Sequence, residues 1–256
     1  MTLFLRTTPP MNQVMNLVGL TAIVTISTGT AVLAKPVIYA ETGGQESLIL
    51  YPNGLAVLET IGLTLNSANS TTTPKPGYDI GALLLPPSTD PGVRGTTFTF
   101  LYDDQDGFYL PLSGSEEFLG TFVFDVDNNL LPGLGYQFVF GNFSNSFDQT
   151  FSFFLTDTTS SSLPPMFRAL DVVAPGFPDV DLNTQTWVEE DIDLLISEEL
   201  SNFLLNAGAS QSVAGIKLAK ARADRNFVAV TTVPEPNMVI ALITTIFAAF
   251  SLKKLK

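Results

Sequence analysis

The side chains best placed to do chemistry in this sequence are carboxylates, because the chain contains neither His nor Cys. Without imidazole or thiol there is no Ser-His-Asp or Cys-His nucleophile system, no His or Cys zinc site and no disulfide framework. The sharpest acidic pattern is Asp179-Val180-Asp181-Leu182-Asn183, with Glu190 eleven residues after Asp179. Oxygen ligands at alternate positions, closed by a distal Glu, are how an EF-hand loop wraps Ca2+. Here, however, the sixth position is Thr184 rather than Gly, the eighth is Thr186, and Pro175 and Pro178 forbid an ordinary entering helix. An edge strand with Val180 and Leu182 turned inward explains the same residues and is the favoured reading, with calcium as the alternative. A second acidic group, Asp103, Asp104 and Asp106, lies between aromatic-rich runs where a hairpin tip is expected. A solvated turn is the plainer account, and a cation site the alternative.

Carboxylates could also serve as the acid and base of a glycoside hydrolase, which need to stand roughly 5 to 10 Å apart. Glu116-Glu117, Glu189-Glu190-Asp191 and the pair Asp125 and Asp127 are candidates, but nothing in the sequence says which two share a cleft. Trp187, Tyr102, Phe108 and Tyr109 could stack on sugar rings, as in a carbohydrate-binding module, although most of the 20 Phe must build the core. Charge adds an exclusion. With 12 basic against 25 acidic residues and a net charge of −13, the chain lacks the Lys and Arg surplus that binds nucleic acid. The acids crowd between Glu41 and Glu199, where Lys75, Arg94 and Arg168 are the only bases, whereas Lys217, Lys220, Arg222 and Arg225 later face Asp224 alone.

These groups must be held by short elements. Apolar or alternating runs recur at Ser47–Tyr51, Ala56–Thr60, Ile80–Leu85, Thr96–Tyr102, Phe108–Leu112, Phe118–Val126, Gln137–Phe140 and Phe151–Leu155. Turn formers such as Asn53-Gly54, Asp106-Gly107 and Pro132-Gly133 separate them. Many short strands rich in Phe and Thr predict a mainly β fold, an antiparallel β-sandwich or jelly roll over residues 35–178. Asn66–Pro76 and Thr158–Pro165 read as exposed loops. Beyond Pro178 the pattern changes. Thr186 with Glu189 resembles a capping box, Val188, Ile192, Leu195, Ile196, Leu200, Phe203 and Leu204 recur near helical spacing, and Gly208 offers a stop. This predicts a C-terminal amphipathic helix from about Trp187 to Asn206, within a helical portion and linker over residues 179–232. Lys217–Arg225 reads as a second short helix or as a strand paired with Phe227–Val230.

The two ends carry an address. Apart from Arg6 the first 34 residues are uncharged, with an apolar stretch from Leu17 to Ile26 before Val32-Leu33-Ala34, whose −3 and −1 side chains are small or modest, the order of a secretory signal peptide. Cleavage is expected after Ala34, with Ala40 as a second site. At the other end Val233 precedes Pro234, Glu235 and Pro236, followed by an uncharged run 237–252 and then Lys253, Lys254 and Lys256. Sixteen helical residues would rise about 24 Å, a marginal transmembrane helix aided by snorkelling lysines, which belong on the cytoplasmic side.

This tail resembles the PEP-CTERM sorting signal of Gram-negative bacteria, with Pro234, Glu235 and Pro236 as the motif, the apolar helix next and the basic tail last. The resemblance covers only the last 24 residues or so. It implies export, a stay in the inner membrane, and processing by a membrane-embedded exosortase that leaves the ectodomain at the cell surface or in an extracellular, exopolysaccharide-rich matrix. The domain between the signals matches no family motif. The resulting expectation is a non-enzymatic structural or binding protein, without a cofactor unless Ca2+ is bound. Its partners would be the secretion machinery, the exosortase, the membrane and polysaccharide; the alternative is a carbohydrate-binding module or carboxylate-dependent glycoside hydrolase.

Overall fold

The structure, a computed structural model, describes residues 37–230 except Pro91, 160–162 and 164–166. The expected signal segment 1–34 and the sorting tail 233–256, including Pro234, Glu235, Pro236 and the run 237–252, lie outside the described residues. Among the described residues no helix is long and apolar enough to cross a membrane.

Strands with one apolar face must bury it, and here they do so by curling one sheet around until its edges meet. β1 (Val37–Leu50) pairs with β14 (Lys217–Ala229) along one side. Along its other side β1 pairs first with β4 (Thr99–Asp103) and then with β3 (Ile80–Leu84). From β3 the ladder runs through β6 (Glu116–Leu119), β9 (Ser144–Phe147), β10 (Phe153–Thr156) and β11 (Arg168–Val173) to β13 (Thr186–Ile196). β13 pairs with β14, so the circuit closes, and every pairing in it is antiparallel. The remaining strands of this sheet, β4 with β5 (Phe108–Ser113) and β12 (Asp179–Asp181), flank the ring. The mainly antiparallel β expectation is therefore correct, but the sandwich or jelly roll is replaced by a closed barrel. Strand patterning alone carries no information about whether two edges join.

A second sheet, β2 (Leu63–Asn69), β7 (Thr121–Val126) and β8 (Gln137–Gly141), packs its Phe122, Phe124, Phe138 and Phe140 into the same core. Pro52 opens α1 (Pro52–Thr60), so the run Ala56–Thr60 is helical rather than extended. α2 (Glu198–Ala207) is capped by Ser197, whose hydroxyl accepts the Leu200 N–H at 3.0 Å, and Phe203 on it stacks on Phe138 at 6.0 Å.

The long helix expected over Trp187–Asn206 is corrected: its first half is β13, and only Glu198–Ala207 is helical, ending at Gly208 as expected. A bulge caused the error. Glu189 pairs with Ala223 and Ile192 with Ala221, so β13 spends three steps where β14 spends two. The inward set is Trp187 and Glu189 before the bulge and Ile192, Leu194 and Ile196 after it, an odd-to-even switch that mimics helical spacing. Lys217–Ala229 is one strand, so Phe227 and Val228 continue it instead of pairing back on it.

Candidate functional site

Two alanines open space inside the barrel. Ala82 of β3 faces Glu46 of β1, Glu46 faces Ala223 of β14, and Ala223 faces Glu189 of β13. This row alternates small and acidic side chains on neighbouring strands. It borders a cavity of about 480 Å3 whose other walls are mainly apolar, among them Leu48, Phe118, Phe143, Phe153, Ile192 and Leu194. Such a small barrel is just wide enough either to be filled by its own side chains or to hold one small ligand. Beyond the pocket's apolar walls, the loop after β11 places Phe177, 72% exposed, at the lining together with Pro178.

A second bulge gathers the polar groups. Between Glu41 and Gly43 the β1–β14 register slips by one residue, so Glu41 and Glu46, of opposite parity in sequence, both turn inward. Gly44, just past it, lies at φ +146°, and a Cβ there would collide with the Asp224 carbonyl oxygen. Arg225 sits opposite Gly44 on one side and Trp187 on the other. Its side chain is 2% exposed. The guanidinium bonds Glu116 through Nε, Glu46 through Nη2 at 2.6 Å and the Gln45 carbonyl through Nη1 at 2.5 Å. The rings of Phe118 and Trp187 lie 4.9 and 5.1 Å from its central carbon. Across the β6–β9 pair, Asn145 donates to the second oxygen of Glu116 at 2.5 Å, and the Trp187 indole donates to Glu41 at 3.1 Å.

Four glutamates around one guanidinium perturb one another strongly. Burial, then the charge of Glu116, pushes the Glu41 carboxyl well above the carboxylate range, against the opposing pull of Arg225 and the Trp187 N–H. Burial raises Glu46 too, with Arg225 holding it back. Glu189 is pushed up to about 7, by burial first and then by Glu46 across Ala223. Burial also raises the Tyr109 hydroxyl, with Glu41 next, so it stays a neutral phenol. For Arg225 burial works against the charge, but Glu116, Glu46 and Glu41 outweigh it and hold the guanidinium ionised. Among the described residues, three buried acceptor atoms of this cluster have no hydrogen-bond partner: Glu41 Oε2, Asn145 Oδ1 and Glu189 Oε1. Protonation turns Glu41 into a donor, which leaves Asn145 and Glu189 as acceptors on the cavity wall.

The sites expected from sequence divide between the two faces of the strands. Glu116 points inward, whereas Glu117 points outward to Arg94 at 2.6 Å. Glu189 lines the cavity, while Glu190 and Asp191 face outward to Arg222 and Lys220. The EF-hand-like residues do not converge: Asp179 and Asp181 are exposed on β12, Asp181 accepts the Asn183 N–H at 2.8 Å in a hairpin turn, and Glu190 is engaged by Arg222. Asp103, Asp104 and Asp106 form the β4–β5 tip, where Asp103 and Asp106 cap the backbone of Gln105 and Phe108. Among the described residues no group of three or more acidic side chains is arranged to hold a metal ion. Asp125 binds Asn66 and Gln137 on the second sheet, and Asp127 caps Asn129. Trp187 and Tyr109 are buried and line the cavity, so neither is a surface platform for sugar, and Tyr102 and Phe108 are half-buried. Sequence reasoning missed Arg225, Glu41, Glu46 and Asn145. The alternating small side chains of Leu218-Ala219-Lys220-Ala221-Arg222-Ala223-Asp224-Arg225 were the available signal of a barrel strand beside a void. No family model, characterised protein or solved structure matches this chain.

Proposed function

We propose that this is an exported binding protein whose barrel takes up one small, largely apolar ligand. The observation that carries the reading is the cavity of about 480 Å3, walled by aromatic and aliphatic side chains with one buried polar cluster. Concave, mostly apolar spaces with a few fixed polar groups are the usual form of small-molecule sites. Export and exosortase sorting rest on the end segments: a signal peptide over 1–34, the Pro234-Glu235-Pro236 motif, a membrane helix over 237–252 and the terminal lysines. On this reading the barrel acts beyond the inner membrane, at the cell surface or in the matrix, and it is not an enzyme.

A carboxylate-dependent hydrolase is the second reading, favoured by Glu189 near neutrality with the Glu116 and Glu46 carboxyl groups close to it. It is the weaker one. Both oxygens of Glu116 are already bonded, to Arg225 and Asn145, and Glu46 is held by Arg225, so neither carboxylate is free to attack. An apolar wall also offers a sugar few partners.

Trp187 is the only tryptophan and lines the cavity, so it reports directly on occupancy. Titration of the full chain with N-phenyl-1-naphthylamine is expected to show saturable energy transfer from Trp187 at one probe per chain. Ala223→Leu, which fills space between Glu46 and Glu189, is expected to abolish it while the protein still melts cooperatively. Absence of a saturable signal, or a signal indifferent to Ala223→Leu, would overturn the reading.

A further inference from the structure

The cavity's polar groups differ in what they still need. Arg225 is already engaged: all three guanidinium nitrogens donate, to Glu116, Glu46 and the Gln45 carbonyl, and two aromatic rings lie against it. It is not a receptor for an anion. What the wall lacks is a donor. Asn145 is 9% exposed, and its amide N–H2 is committed to Glu116, so the amide orientation is fixed and Oδ1 is left as an acceptor with nothing to accept from. Glu189 is half-buried, yet its Oε1 is shut off from water and likewise unpartnered. An acceptor left unpaired in a dry site is costly, and a ligand that supplies the donor recovers that cost on binding.

Charge narrows the donor further. Glu46, Glu116 and Glu189 face the cavity with Arg225 as the only cation among the lining residues. An incoming carboxylate or phosphate would meet a wall already in negative excess. A hydroxyl would satisfy one acceptor, whereas a protonated amine brings three donors and the complementary charge.

Resting on the binding reading above, we infer that the ligand is an amine: an apolar, ring- or chain-bearing body seated among the phenylalanines, with an ammonium head directed at Asn145 Oδ1 and Glu189 Oε1. The acid that receives it is surrounded by Glu46 of β1, Glu116 of β6, Tyr109 of β5 and Arg225 of β14. Its carboxyl is ionised above about pH 7 and protonated below. An alkylammonium stays charged throughout that interval. Amine binding is therefore strong at pH 8 and weaker at pH 5.5, and binding of an uncharged analogue changes little.

The test displaces N-phenyl-1-naphthylamine from the full chain with three compounds sharing one body: 4-phenylbutylamine, 4-phenylbutanol and 4-phenylbutyrate. The amine is expected to bind at least about tenfold more tightly than the alcohol at pH 8, with the acid weakest, and the advantage to shrink to about threefold or less at pH 5.5. Glu189→Gln, nearly isosteric, is expected to weaken the amine about tenfold at pH 8 and to leave the alcohol within about threefold, with a retained cooperative melting transition at both pH values as the check on folding. If the probe binds but the alcohol or acid competes as well as the amine, or Glu189→Gln weakens all three alike, the amine assignment is overturned and the cavity remains a site for some other ligand. If the probe itself does not bind, the binding reading fails and this one with it.

Discussion

β14 carries the same basic side chains to two different solvents. On its outer face Lys217, Lys220 and Arg222 pair across to Asp193, Asp191 and Glu190 of β13. On its inner face Arg225, three residues beyond Arg222, pairs with Glu116 and Glu46 at 2% exposure. The outer pairs can exchange each other for water with little change in energy, and they settle the surplus of basic residues near the end of the chain. The inner group cannot. A guanidinium taken out of water is stable only because its carboxylates were taken out with it, and those carboxylates in turn depend on it. Strand parity, not residue type, decides which regime a charge enters.

The largest effect should follow from breaking the inner group. Arg225→Met keeps the length of the side chain but strands Glu116 and Glu46, and we expect a loss of about 3 to 5 kcal/mol in urea unfolding at neutral pH. Adding Glu116→Gln and Glu46→Gln to that variant should restore much of the loss, because the penalty comes from the unpaired charges rather than from the missing contact. If Arg225→Met alone is as stable as the parent, the contrast between the two faces is wrong.

How the inner group is assembled also marks where sequence reading stops. Alternation, turn residues and Phe content were enough to anticipate a mainly antiparallel β chain, the Asp103–Asp106 hairpin tip and the stop at Gly208. They could not show that β1 and β13 each carry one extra residue. Parity fails at both places, so Glu41 and Glu46 share a face that simple alternation would divide, and Val188 and Ile192 mimic a helical stripe that does not exist. Gly44 tests the first bulge. Its φ of +146° and its approach to the Asp224 carbonyl leave no room for a side chain, so Gly44→Ala must push β1 away from β14 beside Arg225. The expected loss is about 2 to 4 kcal/mol from strain and crowding together. Gly135, where an added Cβ meets no neighbour, is the control, and its alanine variant should remain close to the parent.

Glu189 stands between the two regimes, inward but half-buried, and its behaviour with pH should reveal that. A carboxyl whose folded pKa lies above its ordinary value of 4.5 favours the folded state while protonated and opposes it once ionised. This contribution is fully present below about 4.5, is lost as pH rises through about 7, and stays lost above. Glu189→Gln has no proton to lose. The stability difference, variant minus parent, should therefore be near constant below pH 4.5 and climb in the variant's favour up to about pH 7.5. Discounted for solvent screening, the climb is about 1 to 2 kcal/mol. A flat difference across that interval would mean that Glu189 reaches water more freely than its buried Oε1 implies.

The smallest effect should come from Arg222, and it makes the comparison quantitative because it differs from Arg225 chiefly in the face it occupies. Its side chain is 25% exposed, Glu190 beside it is 56% exposed, and Asp224 at 2.9 Å is its second partner. Removing it leaves carboxylates that water can still solvate, at least in part, so nothing equivalent to the stranded Glu116 is created. Arg222→Met should cost about 1 kcal/mol or less, and the loss should shrink further in high salt, where exposed pairs are screened. The loss from Arg225→Met should barely respond to salt, since a buried pair is shielded from mobile ions. Equal costs for the two substitutions, or equal salt dependence, would mean that water enters the barrel and that the cavity cannot discriminate among ligands by their charge.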